Sequence, residues 1–315
     1  MDGIRTLQLI RKISDVSNTL QYGAVAIGNF DGVHEGHAHL IRKLIEHARQ
    51  NDGAAVVFTF DPHPVRLLRP ALAPVPLTWT ERKAELLGEL GVDALIAYPT
   101  DEALLSLSPQ EFFSQIILES LKAQAIVEGP NFFFGRDRVG DVHLLGELCQ
   151  QHSISIEIVQ PIEVEGRYIS SSRIRDLIAA GDMALARDML TQPYRIRGMV
   201  THGAARGAGL GFPTANVDAV DTLLPAPGVY AGRAYSEGEI WPAAIHLGPN
   251  PTFGEQAVKV EVHLIGYEGT LYGKPLEVDF LERLREIHSF DGIDQLVSQL
   301  RVDVSQAADV CQNFE

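Results

Sequence analysis

The 315-residue chain is poor in cysteine, in cations and in long apolar runs. Its two cysteines, Cys149 and Cys311, stand far apart without Cys-x-x-Cys spacing, which excludes a disulfide framework and a thiolate zinc cluster. Only 26 Lys and Arg face 41 Asp and Glu, a net charge of −15. Such a balance repels phosphate polyanions, so nucleic acid is not expected as a partner. The acidity is concentrated late in the chain, with 7 basic against 16 acidic residues from position 201 onward. No apolar stretch approaches the ~20 residues needed to span a bilayer, so no membrane partner is expected. The first twelve residues lack a basic segment followed by an apolar one, and they are not an Arg/Ser-rich transit sequence. A cytoplasmic chain is the expectation. With 45% hydrophobic and 21% charged residues there is enough apolar surface for a packed interior. The length exceeds the ~250–300 residues at which one core stops growing, which predicts two domains.

Between residues 20 and 180, short β-rich runs alternate with helical ones. Segments 24–28, 54–60, 94–97, 125–128 and 154–159 have strand length and apolar composition. Between the first two, Leu40, Ile41, Leu44, Ile45 and Ala48 recur at helical spacing. Strand, helix, strand predicts βαβ units in a parallel sheet, and ligands of such sheets bind at the carboxyl ends of strands. The pattern changes near Pro193. Segments 195–201, 228–235, 239–247, 257–267 and 275–281 read as strands separated by Gly, Pro and Asn clusters, which predicts an antiparallel barrel or sandwich. Ile293, Leu296, Val297, Leu300 and Val304 then mark a closing amphipathic helix. The expected division is residues 1–186 and 187–315.

The run Gly28-Asn29-Phe30-Asp31-Gly32-Val33-His34-Glu35-Gly36-His37 joins the first strand to a helix that opens with two histidines three apart. Free backbone N–H groups and the positive helix end suit an anion such as a nucleotide phosphate, and Gly36 clears space between the imidazoles. Two alternatives accompany this reading: a plain surface, or metal ligation by His34 and His37 with His39. Metal is the weaker of these, because no Cys or carboxylate stands at ligand spacing. Further on, Ser170, Ser171 and Ser172 precede Arg173 and Arg175 at the start of a helical run. Taken alone this is an N-cap and a solvated arginine; paired with the first motif it is a second phosphate clamp.

The His34-x-Gly36-His37 and Ile169-Ser170-Ser171-Ser172-x-x-Arg175 segments resemble the nucleotidyltransferase superfamily, with its Rossmann-like parallel sheet. The strings GNFDGVHEGH (28–37), TFDPHP (59–64), LSPQEFF (107–113), GPNFFFGRDRVGD (129–141) and SSSRIRDLIAAGD (170–182) are similar to the FMN adenylyltransferase half of the prokaryotic bifunctional riboflavin kinase/FAD synthetase family. The resemblance implies that Gly28, Asn29, Gly36, Asn131, Ser171, Ser172 and Arg175 contact nucleotide phosphates, with His34 and His37 catalytic. Ser172 stands where the family usually has Thr, which keeps the hydroxyl. The three phenylalanines after Asn131 serve either as core or as a flavin platform.

In the second half, Gly203, Gly207, Gly209 and Gly211 make a glycine-rich loop that is neither a Walker A loop nor a dinucleotide fingerprint. By itself it could be an ordinary connection. Thr214 and Asn216, two apart on an extended segment, project to one side as oxygen ligands for Mg²⁺ should. In 258–264, Val258, Val260, Val262 and Leu264 share one face, and Lys259, Glu261 and His263 the other. GFPTAN (211–216), the turn 248–253, VEVHL (260–264) and LYGKPLEVDFLERLRE (271–286) resemble riboflavin kinase, a small antiparallel β-barrel with a C-terminal helix. By that resemblance Gly203, Gly207 and Gly211 hold ATP phosphates, Thr214 and Asn216 bind Mg²⁺ and phosphate, and Glu261 takes the ribityl hydroxyl proton. Two positions depart from the family: Ala208, where a basic residue is common, and His246, where Asn is frequent. The implied substrates are riboflavin, FMN and ATP. The rival readings are an enzyme with only the adenylyltransferase active and a flavin-binding protein without turnover.

Overall fold

The computed structural model describes residues 7–203, 206–250, 252 and 256–314. Ala204, Ala205, Pro251 and Phe253, in the glycine-rich loop and in the turn 248–253, lie outside the described residues. The chain forms two compact units, 1–74 with 79–170, and 75–78 with 171–315.

The first unit is built on a six-stranded sheet: β1 (Gln8–Ile10), β2 (Ala24–Ile27), β3 (Ala55–Asp61), β4 (Ala94–Pro99), β5 (Ala125–Glu128) and β6 (Ser155–Ile158). All pairs are parallel, in the order β1-β4-β3-β2-β5-β6. Five of these strands follow the apolar runs of the sequence; β1 is an edge strand of three residues, too short to leave a period. The central strands are buried on both faces, as parallel strands between helices must be. Alternate residues enter different cores. Val25, Ile27, Val56, Phe58 and Ile126 pack with the helix Phe113–Leu121. Ala24, Ala26, Val57, Leu95 and Val127 pack with Ile41, Leu44 and Ala48 of the helix Glu35–Gln50. Because the chain leaves β2 toward β3 and later returns to β5 on the other side of β2, the topological switch lies between β2 and β5. A crevice opens there at the carboxyl ends.

In the second unit β9 (Tyr194–Thr201), β10 (Ala215–Asp218), β11 (Gly228–Ser236), β12 (Glu239–Gly248), β13 (Lys259–Leu264) and β14 (Pro275–Arg285) close a barrel in the order β10-β13-β12-β11-β14-β9. (β7 and β8 are a two-residue ribbon, Glu163–Val164 with Arg167–Tyr168, in the first unit.) Of the two expected outcomes, barrel or sandwich, the closure is decided by β10. This strand pairs with both β9 and β13 and leaves no free edge there. Ile196, Tyr230, Ile245, Val262, Val278 and Phe280 fill the interior. The helix Ile293–Gln312 closes the unit, with Ala307 and Cys311 buried against it. The helices Ser171–Ala180 and Met183–Met189 also cluster with the barrel.

Candidate active sites

In the first unit the chain turns sharply after β2. Phe30, Gly32 and Val33 all have positive φ, at 45°, 84° and 40°. A β-branched residue in that region is strained, and strain of this kind concentrates where a loop must present groups to a ligand. The turn delivers His34 as the N-cap of the helix Glu35–Gln50, with Nδ1 accepting the His37 backbone N–H at 3.2 Å. The two imidazoles stack, centroids 3.6 Å apart and planes 14° from parallel. Stacked rings direct their nitrogens in parallel planes rather than toward one ion, and the cap already occupies His34 Nδ1. This argues against the metal-ligand alternative. A Cβ at Gly36 would lie 3.1 Å from the His34 ring, so a side chain there would press on the stack. Burial pushes the His34 pKa down to about 4, with Asp31 opposing, and holds His37 well below the usual histidine range, helped by His34 and Lys83. Both are therefore neutral at physiological pH. With Nδ1 accepting, His34 carries its proton on Nε2, a donor available to a ligand.

These groups line a cleft of about 300 Å³ at the switch point, together with Gly28, Asn29, Gly36 and Asn131. The buried Asn29 Oδ1 and His37 Nδ1 have no hydrogen-bond partner among the described residues. Two orphaned polar atoms at a strand–helix turn mark a place shaped for a polar ligand. The phenylalanines after Asn131 divide. Phe134 is core, Phe132 lines the cleft, and Phe133 is exposed beneath the Arg138 guanidinium. Ser171, Ser172 and Arg175 begin the helix Ser171–Ala180 of the second unit, where Arg175 Nε donates to the Val75 carbonyl at 2.8 Å.

Two residues of the cleft region were not singled out from sequence. Glu128, at the end of β5, is 3% exposed and lines the cleft. One of its oxygens accepts the Ile27 N–H at 2.6 Å, and burial raises its pKa well above the usual carboxylate range. The β2–β5 ladder registers Ala24 with Ala125 and Val25 with Ile126. Beyond it the Glu128 side chain takes the place of a main-chain partner. Lys83, from the helix Thr80–Glu89, is buried and donates Nζ to the Asn29 carbonyl at 2.6 Å, fixing the turn from beneath. A cation on the apolar face of that helix, beside Leu86 and Leu87, was the signal available.

In the second unit a cavity of about 140 Å³ is lined by Gly207, Thr214, Asn216, His246, Asn250 and Glu261, among others, and by Leu296, Leu300 and Asp303 of the closing helix. The alternation expected for 258–264 holds within β13: Val260, Val262 and Leu264 are buried inside the barrel, and the polar face that carries Glu261 turns outward to this cavity. Strand register then aligns the chemistry, with Glu261 opposite Asn216 on β10 and opposite His246 on β12. The glycine loop lies directly on the oxygen-bearing side chains. A Cβ at Gly203 would fall 2.1 Å from Asn216 Nδ2, and one at Gly207 would fall 2.4 Å from the Phe212 carbonyl and 3.4 Å from Thr214 Oγ1. Gly211 has φ +88°. Within the loop, Arg206–Gly209 forms one helical turn, so Ala208 sits on a helix surface rather than in an open coil. His246 is buried enough that its pKa falls, against the pull of Glu261.

Comparison with known proteins agrees with this two-site geometry. Residues 17–173 match the family model described as FAD synthetase and residues 190–311 the one described as riboflavin kinase. The bifunctional riboflavin kinase/FMN adenylyltransferase of Pseudomonas fluorescens is 35% identical over 96% of this chain and 97% of its own length. The protein of the same name from Bacillus subtilis is 34% identical over 90% of each chain. A crystal structure from Streptococcus pneumoniae, named as a macrolide-efflux protein, is 32% identical and superposes with a TM-score of 0.83 over 98% of this chain and all of its own. That likeness speaks for a shared fold; among the described residues here no helix is long and apolar enough to cross a membrane. On these grounds the chain belongs to the bifunctional riboflavin kinase/FMN adenylyltransferase family.

Proposed function

We propose that this chain makes FMN and then FAD: riboflavin is phosphorylated by ATP in the region 187–315, and FMN is adenylylated by a second ATP, releasing pyrophosphate, in the region 1–186. The observation that carries the reading is the convergence of Thr214, Asn216 and Glu261 on one cavity under a glycine loop. A second cleft, at the switch point of the parallel sheet, holds the paired histidines.

For the kinase step Glu261 is the base that takes the ribityl hydroxyl proton as the oxygen attacks the γ-phosphorus in line, the bond from that phosphorus to the β–γ bridging oxygen breaks and ADP leaves. The loop N–H groups from Gly203 to Gly211 position the phosphates. Thr214 and Asn216 suit Mg²⁺, which takes few protein oxygens and completes its shell with water and phosphate. When bound, the ion would neutralise charge on the β- and γ-phosphates. For adenylyl transfer the nucleophile is the FMN phosphate, already ionised, so no strong base is required. His34 and His37, neutral and buried, act as hydrogen-bond donors to charge developing on the α- and β-phosphates; in a low-dielectric site such donors are strong. Gly28, Asn29, Gly36 and Asn131 complete the phosphate and nucleotide contacts. Ser171, Ser172 and Arg175 are assigned to phosphate on their family motif alone. Both reactions consume ATP and both cysteines are free and buried, which supports a cytoplasmic setting.

Chromatography of products from riboflavin, ATP and Mg²⁺ tests both halves together. Glu261→Gln should lower FMN formation ~10²–10⁴-fold and leave FAD formation from supplied FMN intact. His37→Ala should lower FAD formation ~10²–10³-fold, as the loss of one charge-stabilising donor does, with FMN still made. Loss of FAD formation from supplied FMN in Glu261→Gln, or loss of FMN formation in His37→Ala, would refute the division of labour.

A further inference from the structure

We propose that Asn250 and His246 are positioning residues for phosphoryl transfer, holding the Glu261 carboxylate in its working orientation through the turn that follows β12. The inference rests on the reading of Glu261 as the base. Glu261 is half-buried on the outer face of β13, and a strand backbone alone does not fix a glutamate with three rotatable side-chain bonds. Asn250 Nδ2 donates to Glu261 Oε1 at 3.0 Å. A carboxylate only accepts, so the amide must present its NH₂ group. One oxygen is thereby held and the second is left to receive a proton. A neutral amide does this without the charge neutralisation that a Lys or Arg partner would bring to a base.

Asn250 is itself held. It stands two residues past Gly248, whose φ is +138°, where a Cβ would come 2.4 Å from Ile287 Cδ1. The intervening Pro249 carbonyl meets His246 Nε2 at 3.2 Å. Because the carbonyl can only accept, the imidazole carries its proton on Nε2, and its burial keeps the ring neutral. The chain of contacts runs from the His246 imidazole to the Pro249 carbonyl, to the Asn250 amide, to the Glu261 carboxylate. His246, Asn250 and Glu261 all line the same cavity. His246, one of the positions at which this sequence differs from the pattern it resembles, thus retains a hydrogen-bond donor.

The test is steady-state riboflavin phosphorylation by the full chain. Asn250→Ala should lower kcat about tenfold, the loss of one hydrogen bond to a charged group, with the riboflavin KM within about twofold. The isosteric Asn250→Asp should also be slow, because it replaces the donor with a second carboxylate. His246→Ala should be slower than the parent, and His246→Asn should recover most of the loss. If His246 acts through Asn250, the His246→Ala/Asn250→Ala double variant should be no slower than Asn250→Ala alone. Trp241 emission in a Trp79→Phe background reports whether each barrel is folded. A normal kcat in both Asn250 variants, a defect confined to KM, or additive losses in the double variant would overturn the proposal. A normal rate in Glu261→Gln would instead remove the base assignment on which it rests.

Discussion

Acidification should destabilise the first unit through His34. In the folded protein this imidazole is 5% exposed and its pKa lies near 4, against 6.5 in an unfolded chain. The unfolded state therefore binds a proton below pH 6.5 that the folded state refuses until about pH 4. The stabilisation is complete above pH 6.5 and is lost as the pH falls through that window. At ~1.4 kcal/mol per pH unit the shift amounts to about 3 kcal/mol, and the stacked His37, also displaced downward, acts in the same direction. The assay is urea unfolding between pH 7 and pH 4 in a Trp241→Phe background, which leaves Trp79, 7% exposed in the first unit, as the only tryptophan. His34→Asn keeps an oxygen to cap the His37 N–H and removes the titration. Its loss of stability over that range should be smaller than the parent's by about 2–3 kcal/mol. Parallel pH curves for parent and variant would show that the buried imidazole is not the cause.

Three further outcomes follow from single contacts. Gly203→Ala should depress riboflavin phosphorylation by ~10-fold or more while adenylyl transfer continues, because its Cβ would occupy space held by the Asn216 amide; unchanged kinetics would mean the loop does not pack on that side chain in solution. Glu128→Gln, which retains an acceptor for the Ile27 N–H, should make FAD at close to the parental rate. Glu128→Leu leaves that donor without its partner and should lower stability by about 1–3 kcal/mol in urea titrations; equal behaviour of the two would dismiss the strap. Asp279 is fully buried and accepts from Arg195, Arg233 and Tyr235. Asp279→Ala should therefore destabilise the barrel by about 3–5 kcal/mol, since it removes the buried carboxylate shared by Arg195 and Arg233 while Arg195 keeps its ion pair with Glu277, and a Trp241-monitored melt within 1 °C of the parent would contradict this.

Local periodicity was enough to read the strands β2 to β6, the helix after His34 and the polar outer face of β13. A period of two or 3.6 residues is a property of neighbours in the chain. The same holds for the glycines and for the short spacings His34-x-Gly36-His37 and Thr214-x-Asn216, whose geometry is set within a turn or a strand. What lay beyond the sequence were contacts between segments far apart in it. Glu128 reads as the polar end of an apolar strand, and only the parting of β2 from β5 shows it strapped to Ile27. Lys83 reads only as a cation on the apolar face of its helix, and the fold alone pairs it with the Asn29 carbonyl. The three phenylalanines after Asn131 are chemically identical, and tertiary packing alone sends one to the core, one to the cleft and one to the surface. Barrel closure through β10, a strand of four residues, and the approach of Asn250 to Glu261 depend on strand register, which is settled by long-range pairing and burial rather than by any local preference.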